Sequence, residues 1–331
     1  MNAIGIIGLG RMGMPTAKRF IHAGFPVVGY DIRQEAIPQI LNIQSRLVRV
    51  ALKGEIMVEG TIKLSYFVAT AELRIDEKVT AYQGDMETAF HKLRKLGYDG
   101  AELMILDPDF VDLDRVEQLS REYDIEIPVL CTGEVYGQGG LSFMDPDQSI
   151  RTEAILRMKK IIDFASPFGA QVNIGRLRGQ FSMEISKETS LAWMYAAFEE
   201  VTDYAAERGV MLILEPVPYI FCNNINSTQD GIAVVRRMGR ENFRLMADIF
   251  SMNLEDISME RSFKDAQPYL THVHVCDSNR LAPGRGNLDF AKILGMLKAA
   301  GYTGYISAEI NQHPDQDLVI EEAINVLRPH L

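Results

Sequence analysis

Four residues that could share one metal ion end four strand-like runs in the second half of the chain: Glu215 in L-I-L-E-P, Asp248 in L-M-A-D-I-F, His274 in H-V-H-V-C-D and Glu309 in I-S-A-E-I. Three carboxylates and one imidazole make a hard, oxygen-rich donor set. It suits Mn²⁺ or Mg²⁺, admits Co²⁺ or Zn²⁺, and disfavours metals that prefer thiolate. Alone, each residue would read as a strand-end acid or a satisfied core histidine. Four in register on successive strands read as a site. A cation there would polarise a carbonyl and its adjacent hydroxyl, making a neighbouring C–H acidic. His272 shares the strand face of His274 one layer deeper and reads as a supporting or packing residue.

Residues so far apart meet only if the elements carrying them converge. Runs rich in β-branched and aromatic residues alternate with segments of helical period from Thr61 onward, the rhythm of parallel strands joined by crossover helices. Strands are predicted over 62–69, 100–106, 125–131, 171–176, 211–215, 243–248, 271–276 and 305–309. Helices are predicted over 86–96, 112–123, 150–168, 190–208, 229–238, 290–300 and 318–327. Gly97, Gly169, Gly209 and Gly301 stand where left-handed helix ends are needed. Eight strands with no sign of reversal favour a closed (β/α)8 TIM barrel over 61–331, rather than an open doubly wound sheet. In a barrel the C-terminal strand ends share one rim, which gathers the four candidate ligands.

Other residues could shape a pocket at that rim. Arg176 and Arg178, one residue apart, would share a strand face and could fork onto a carboxylate or phosphate; the plainer reading is a loop pair balancing an acidic surface. Glu102 could line the pocket, although a buried charge there needs a partner. The segment Thr132 to Asp147 could form a lid, with Glu134 and Tyr136 as contacts. Cys131, Cys222 and Cys276 read as small packing residues.

The first 60 residues differ in pattern. Gly8-Leu9-Gly10-Arg11-Met12-Gly13 follows a strand and opens a helix, and Asp31 ends the next strand. In that context the glycines admit a pyrophosphate and the acid accepts ribose hydroxyls, so Gly8, Gly10, Gly13 and Asp31 are candidate cofactor contacts. The run resembles the opening of the 3-hydroxyisobutyrate and 6-phosphogluconate dehydrogenase family. Only one βαβ piece matches, without the remaining strands of a nucleotide fold. Residues 1–60 are therefore expected to be a partial Rossmann-like extension and linker, and NAD(P) is not an expected cofactor.

Composition narrows the class. With 47% hydrophobic and 24% charged residues the chain can bury a sizeable core, and its net charge of −11 opposes nucleic-acid binding. Three cysteines without C-x-x-C spacing fit a reducing compartment, and no apolar run reaches a membrane span. A cytoplasmic enzyme acting on a small molecule, without nucleic-acid or membrane partners and assembled as a homo-oligomer, is the expectation.

From Leu212 to Ile310 the chain resembles the xylose-isomerase-like barrel superfamily, particularly its ketose 3-epimerase and hydroxypyruvate isomerase branch. The resemblance rests on E-P at Glu215, A-D-x-F-x-M-N from Ala247, H-V-H-V-x-D-S-N-R-x-x-P-G-x-G-x-x-D-F from His272, and S-A-E at Glu309. It implies that Glu215 and Glu309 combine metal ligation with acid–base roles, that Asp248 and His274 are ligands only, and that Arg280 holds a substrate oxygen. The reaction implied is isomerisation or epimerisation of a small sugar, sugar phosphate or hydroxy-carbonyl acid through a metal-stabilised enediolate. Two departures concern substrate contacts. Pro218, Tyr219, Ile220 and Phe221 replace a polar run, and Ser251 stands where the family has a histidine that reaches a substrate oxygen, so Ser251 is expected there as a shortened substrate contact. A polyhydroxylated or anionic substrate is expected. A dehydratase or lyase on the same metal site, an NAD-responsive binding protein and an apurinic-site nuclease are the alternatives, the last opposed by acidity and by missing zinc ligands.

Overall fold

All eight predicted strands form, and they close into one parallel barrel. The computed structural model describes residues 62–331 and, before them, the strands β1 (Ile4–Ile7), β2 (Val27–Tyr30) and β3 (Val48–Ala51). Barrel strands are β4 (Lys63–Ala69), β5 (Gly100–Met104), β6 (Val129–Cys131), β7 (Gln171–Ile174), β8 (Leu212–Leu214), β9 (Phe243–Asp248), β10 (Leu270–Val275) and β11 (Tyr305–Ala308). Closure comes from β11 pairing with β4, Tyr305 opposite Lys63 through Ala308 opposite Tyr66.

Crossover helices cover the strands with apolar stripes. In α1 (Met86–Leu96), Ala89, Phe90 and Leu93 are buried, Asp85 caps the first turn by accepting from Thr88 N, and Gly97 ends the helix at φ 89°. Gly169, Gly209 and Gly301 also have positive φ, as their positions demand. The other crossover helices are α2 (Leu113–Tyr123), α4 (Gln148–Ala165), α5 (Lys187–Ala206), α6 (Thr228–Met238), α9 (Phe290–Ala299) and α10 (Gln316–Leu327). Three short helices escape the sequence pattern: α3 (Gly133–Gly137), α7 (Ile249–Glu255) and α8 (Met259–Ala266). Thr132 to Asp147 is not a free lid. Phe143 is fully buried against Phe198, and its N–H donates to Leu177 O at 3.0 Å, so core packing fixes the segment.

The chain divides into two compact units, Met1–Glu59 and Gly60–Leu331. In the first, three parallel strands run in the order β1-β2-β3, with Ile7 opposite Tyr30 and Val27 opposite Val48. The sequence reading has two strands there. The third, four residues of V-R-V-A, is too short for its alternation to stand out. Gly8, Gly10, Gly13 and Asp31 lie outside the described residues. Among the described residues no helix is long and apolar enough to cross a membrane.

Candidate active site

The C-terminal ends of four neighbouring strands build the site. Glu215 follows β8, Asp248 ends β9, His274 lies near the end of β10, and Glu309 follows β11. The backbone fixes two of them: Glu215 N donates to Ile174 O at 3.0 Å, and Glu309 N to Val275 O at 3.1 Å. His274 Nδ1 lies 3.4 Å from Glu215 Oε1 and 3.4 Å from Glu309 Oε2. Glu215, His274 and Glu309 offer ligand atoms all within 4.8 Å of one another, as a shared cation requires. Asp248 stands beside this trio rather than within it. Its Oδ1 caps α7 by accepting from Phe250 N at 3.0 Å, and its Oδ2 accepts from Ser251 Oγ at 2.8 Å and Arg280 Nη1 at 3.2 Å.

Arg280 joins the acids. It donates to Asp248 and, through Nη2 at 2.8 Å, to Glu309 Oε1. Its backbone sits at φ 60°, a region that costs a non-glycine residue roughly 1–2 kcal/mol. Hydrogen bonds from Arg280 N to Asp277 O and from Asn311 N to Arg280 O hold it there. The aromatic rings of Phe250 and Phe221 lie 5.0 and 5.9 Å from the guanidinium carbon.

The surroundings split the two glutamates. Burial pushes the Glu215 carboxyl above the usual range; His274 pulls it down, while Glu309 and Asp248 push it further up. Burial acts on Glu309 in the same sense, but Arg280 and His274 overcome it and hold that group down at about 2. Asn173 Nδ2 donates to Glu215 Oε2 at 2.8 Å, and Thr80 Oγ1 to Glu309 Oε1 at 2.8 Å. Gly175 makes room for the first of these carboxylates, since a Cβ there would come within 2.6 Å of Glu215 Oε2. Burial opposes charge on His274, but Glu102, Glu215 and Glu309 together raise its pKa well above the ordinary histidine value. The thiol of Cys131 is pushed up by burial and by the nearby acids, so it stays protonated and packs.

Above the trio opens a cleft of about 490 Å³. Arg176, Glu134, Arg280, Glu309 and Glu215 line it, together with Phe221 from the loop after β8. Four sequence expectations are corrected. Arg178 does not face the cleft: it is fully buried on a turn after β7. Its five N–H groups are all used, by Asn224 Oδ1 and by the carbonyls of Gly175, Glu215, Asn224 and Ile225. The two-arginine fork is therefore not formed, and Arg176 instead donates to Gly133 O and Glu134 Oε1. Glu102 lies beneath the pocket rather than in its wall, fully buried between His272 Nε2 at 2.7 Å and His274 Nε2 at 2.9 Å. Ser251 is buried and donates its hydroxyl to Asp248 rather than into the cleft, whose lining does not include it. Tyr136 is likewise engaged, its hydroxyl accepting from Gln180 Nε2.

Thr80, Asn173, Lys78 and His313 belong to the site or its rim without having been singled out. Only Asn173 carried a signal, a polar residue in the otherwise apolar strand V-N-I.

A model of the xylose isomerase-like TIM barrel family matches residues 90–330. The chain belongs to that family. A model of the NAD binding domain of 6-phosphogluconate dehydrogenase matches residues 3–76 and so runs into β4, which pairs within the barrel. Among relatives of this barrel protein, the L-ribulose 3-epimerase of Mesorhizobium japonicum is 28% identical over 229 residues, covering 69% of this chain and 76% of that one. The L-ribulose 3-epimerase of Methylomonas sp. is 29% identical over 222 residues, 65% of this chain and 74% of that one. A solved D-allulose 3-epimerase from Methylomonas sp., in complex with D-allulose, superposes with a TM-score of 0.68 at 23% identity. It covers 82% of this chain and 98% of that one, which shows the shared fold.

Proposed function

We propose that this chain is a divalent-metal-dependent epimerase or isomerase of a small ketose or related hydroxy-carbonyl compound, working by proton transfer through an enediolate. The observation that carries the reading is His274 Nδ1, a buried nitrogen without a hydrogen-bond partner, within 3.4 Å of both Glu215 and Glu309 on the floor of the cleft. A buried polar atom in that position calls for a ligand. Two carboxylates and an imidazole, with Asp248 alongside, fit a hard divalent ion such as Mn²⁺ or Mg²⁺. When bound, that ion supplies Lewis-acid polarisation of a carbonyl and its neighbouring hydroxyl.

The chain's own groups then divide the proton work. Glu309, held ionised beside Arg280, and Glu215, whose carboxyl burial pushes up, are the two groups placed to take and return the proton. Asn173 and Thr80 fix one oxygen of each carboxylate and leave the other facing His274 Nδ1. Arg280 supplies a cation to a substrate oxygen, and Phe221 and Pro218 give one apolar wall. The 3-epimerase relatives support a ketose substrate. The cations Arg176, Lys78 and Arg280 at the cleft also admit a substrate bearing a phosphate or carboxylate.

Incubation of the Mn²⁺-loaded protein with L-ribulose, D-psicose, hydroxypyruvate and ketose phosphates in D₂O tests the proposal. Deuterium should enter at the epimerised carbon without change in composition. A mass loss of water would point to dehydration instead, and no exchange into any candidate would remove the enediolate route.

A further inference from the structure

The deepest acid of the barrel takes no part in the proton transfer just described. Glu102 rises from β5, wholly buried, and reaches across the interior to β10, from which β4 and β11 separate it. Its Oε2 lies 2.7 Å from His272 Nε2 and its Oε1 2.9 Å from His274 Nε2. A carboxylate in such surroundings persists only when its charge and lone pairs are met. Here both oxygens are met by the same atom of two imidazoles.

That pairing selects a ring nitrogen. An ionised carboxylate can only accept, so each imidazole presents Nε2–H to it, and in the neutral ring the lone pair falls to Nδ1. In His274 it is Nδ1 that faces Glu215 and Glu309, with no hydrogen-bond partner, so the lone pair of the neutral ring would be offered to an ion bound between them. Phe67 stands edge to face against the ring, with 4.8 Å between ring centres, and limits its rotation. His272 sits two residues earlier on the same strand, opposite Tyr305 where His274 is opposite Ser307. Its ring stands edge to face with that of His274, and its contact with Glu102 keeps the carboxylate from swinging away from His274.

We propose that Glu102, locked in place by His272, is the positioning residue of the site, fixing His274 in the tautomer that offers Nδ1 to a divalent cation beside Glu215 and Glu309. This rests on the metal reading above and extends it to two side chains that touch neither substrate nor cation. Outer partners of this kind orient a ligand and raise its basicity.

Titration calorimetry of the chelator-stripped full-length chain with Mn²⁺ tests it. Wild type should take up one ion per chain. Glu102→Gln keeps the shape but offers one accepting oxygen and one donating NH₂, so it can hold only one of the two rings as Nε2–H. Its Mn²⁺ affinity should fall about 10–100-fold. The rise in Tm at a fixed Mn²⁺ concentration should shrink with it, whereas a merely structural role would lower the metal-free and metal-loaded Tm together. Where E102Q does not fold, His272→Leu removes the lock on Oε2 and should weaken Mn²⁺ several-fold. Wild-type affinity in a folded variant overturns the proposal and leaves the metal site standing. Two ions per wild-type chain overturn it too, because Glu102, His272 and His274 would then be a second metal cluster. No uptake by wild type sinks the metal reading itself.

Discussion

Glu215 and Glu309 face the same imidazole nitrogen, yet Arg280 touches only Glu309. That single contact makes the pair unequal, and it gives Glu309→Gln a definite outcome. At saturating Mn²⁺ and ketose, kcat should fall about 10²–10⁴-fold, the usual worth of a positioned acid or base. Unchanged kcat would move the base elsewhere. Arg178 makes the opposite case. In the sequence R-L-R it looks equivalent to Arg176, but a tight turn sends one side chain into the cleft and the other under the loop after β8. Arg178→Ala removes a donor from four carbonyls and from Asn224 Oδ1, in a buried setting, and should destabilise by about 3 kcal/mol or more in a denaturant titration. If it instead raised only KM with stability intact, the buried assignment would be wrong. Neither the burial of Arg178 nor the bridge made by Glu102 was legible in the chain, because both depend on partners across the barrel.

At the scale of elements, the loop after β10 must hold Arg280 in its left-handed conformation, and Asp277 does this from within. Its Oδ1 accepts from Ser278 N at 2.7 Å and Leu288 N at 3.1 Å, and its Oδ2 from Gly284 N at 2.9 Å. Burial works against ionisation, but these backbone donors prevail and hold the carboxyl below its ordinary value of 3.8. A depressed folded-state pKa means stability that is present well above the ordinary value and is lost as pH falls through the lower one. Asp277→Asn cannot accept on both sides and should cost about 1–3 kcal/mol at neutral pH. The gap between the two proteins in unfolding free energy should close as the pH drops below 3.8; a constant gap would mean that charge is irrelevant. The crossover helices were readable because they combine a cap, a 3.6-residue stripe and a terminal glycine, as α1 does from Asp85 to Gly97. Helix α7 was not. It has seven residues, and its cap is Asp248, which the sequence reading had assigned to chemistry.

For the molecule as a whole, the count of eight βα units was visible in the chain. What sequence could not supply was which inward side chains are sealed off and which reach the cleft: Glu102 is wholly buried against His272 and His274, whereas Glu215 and Glu309 line the cleft. All of these acids and histidines lie in the Gly60–Leu331 unit. Without an ion, Glu215, Asp248 and Glu309 crowd one buried centre with Arg280 and His274 as their cationic partners. An ion bound only by the folded barrel adds about 2.7 kcal/mol at a hundredfold excess over Kd. In a unit of this size each kcal/mol moves Tm by about 2–4 °C. Scanning calorimetry should therefore show the barrel transition falling by about 5–11 °C on EDTA treatment and recovering with Mn²⁺. Melting that ignores both chelator and Mn²⁺ would mean that the acids at the barrel rim are held by Arg280 and His274 alone.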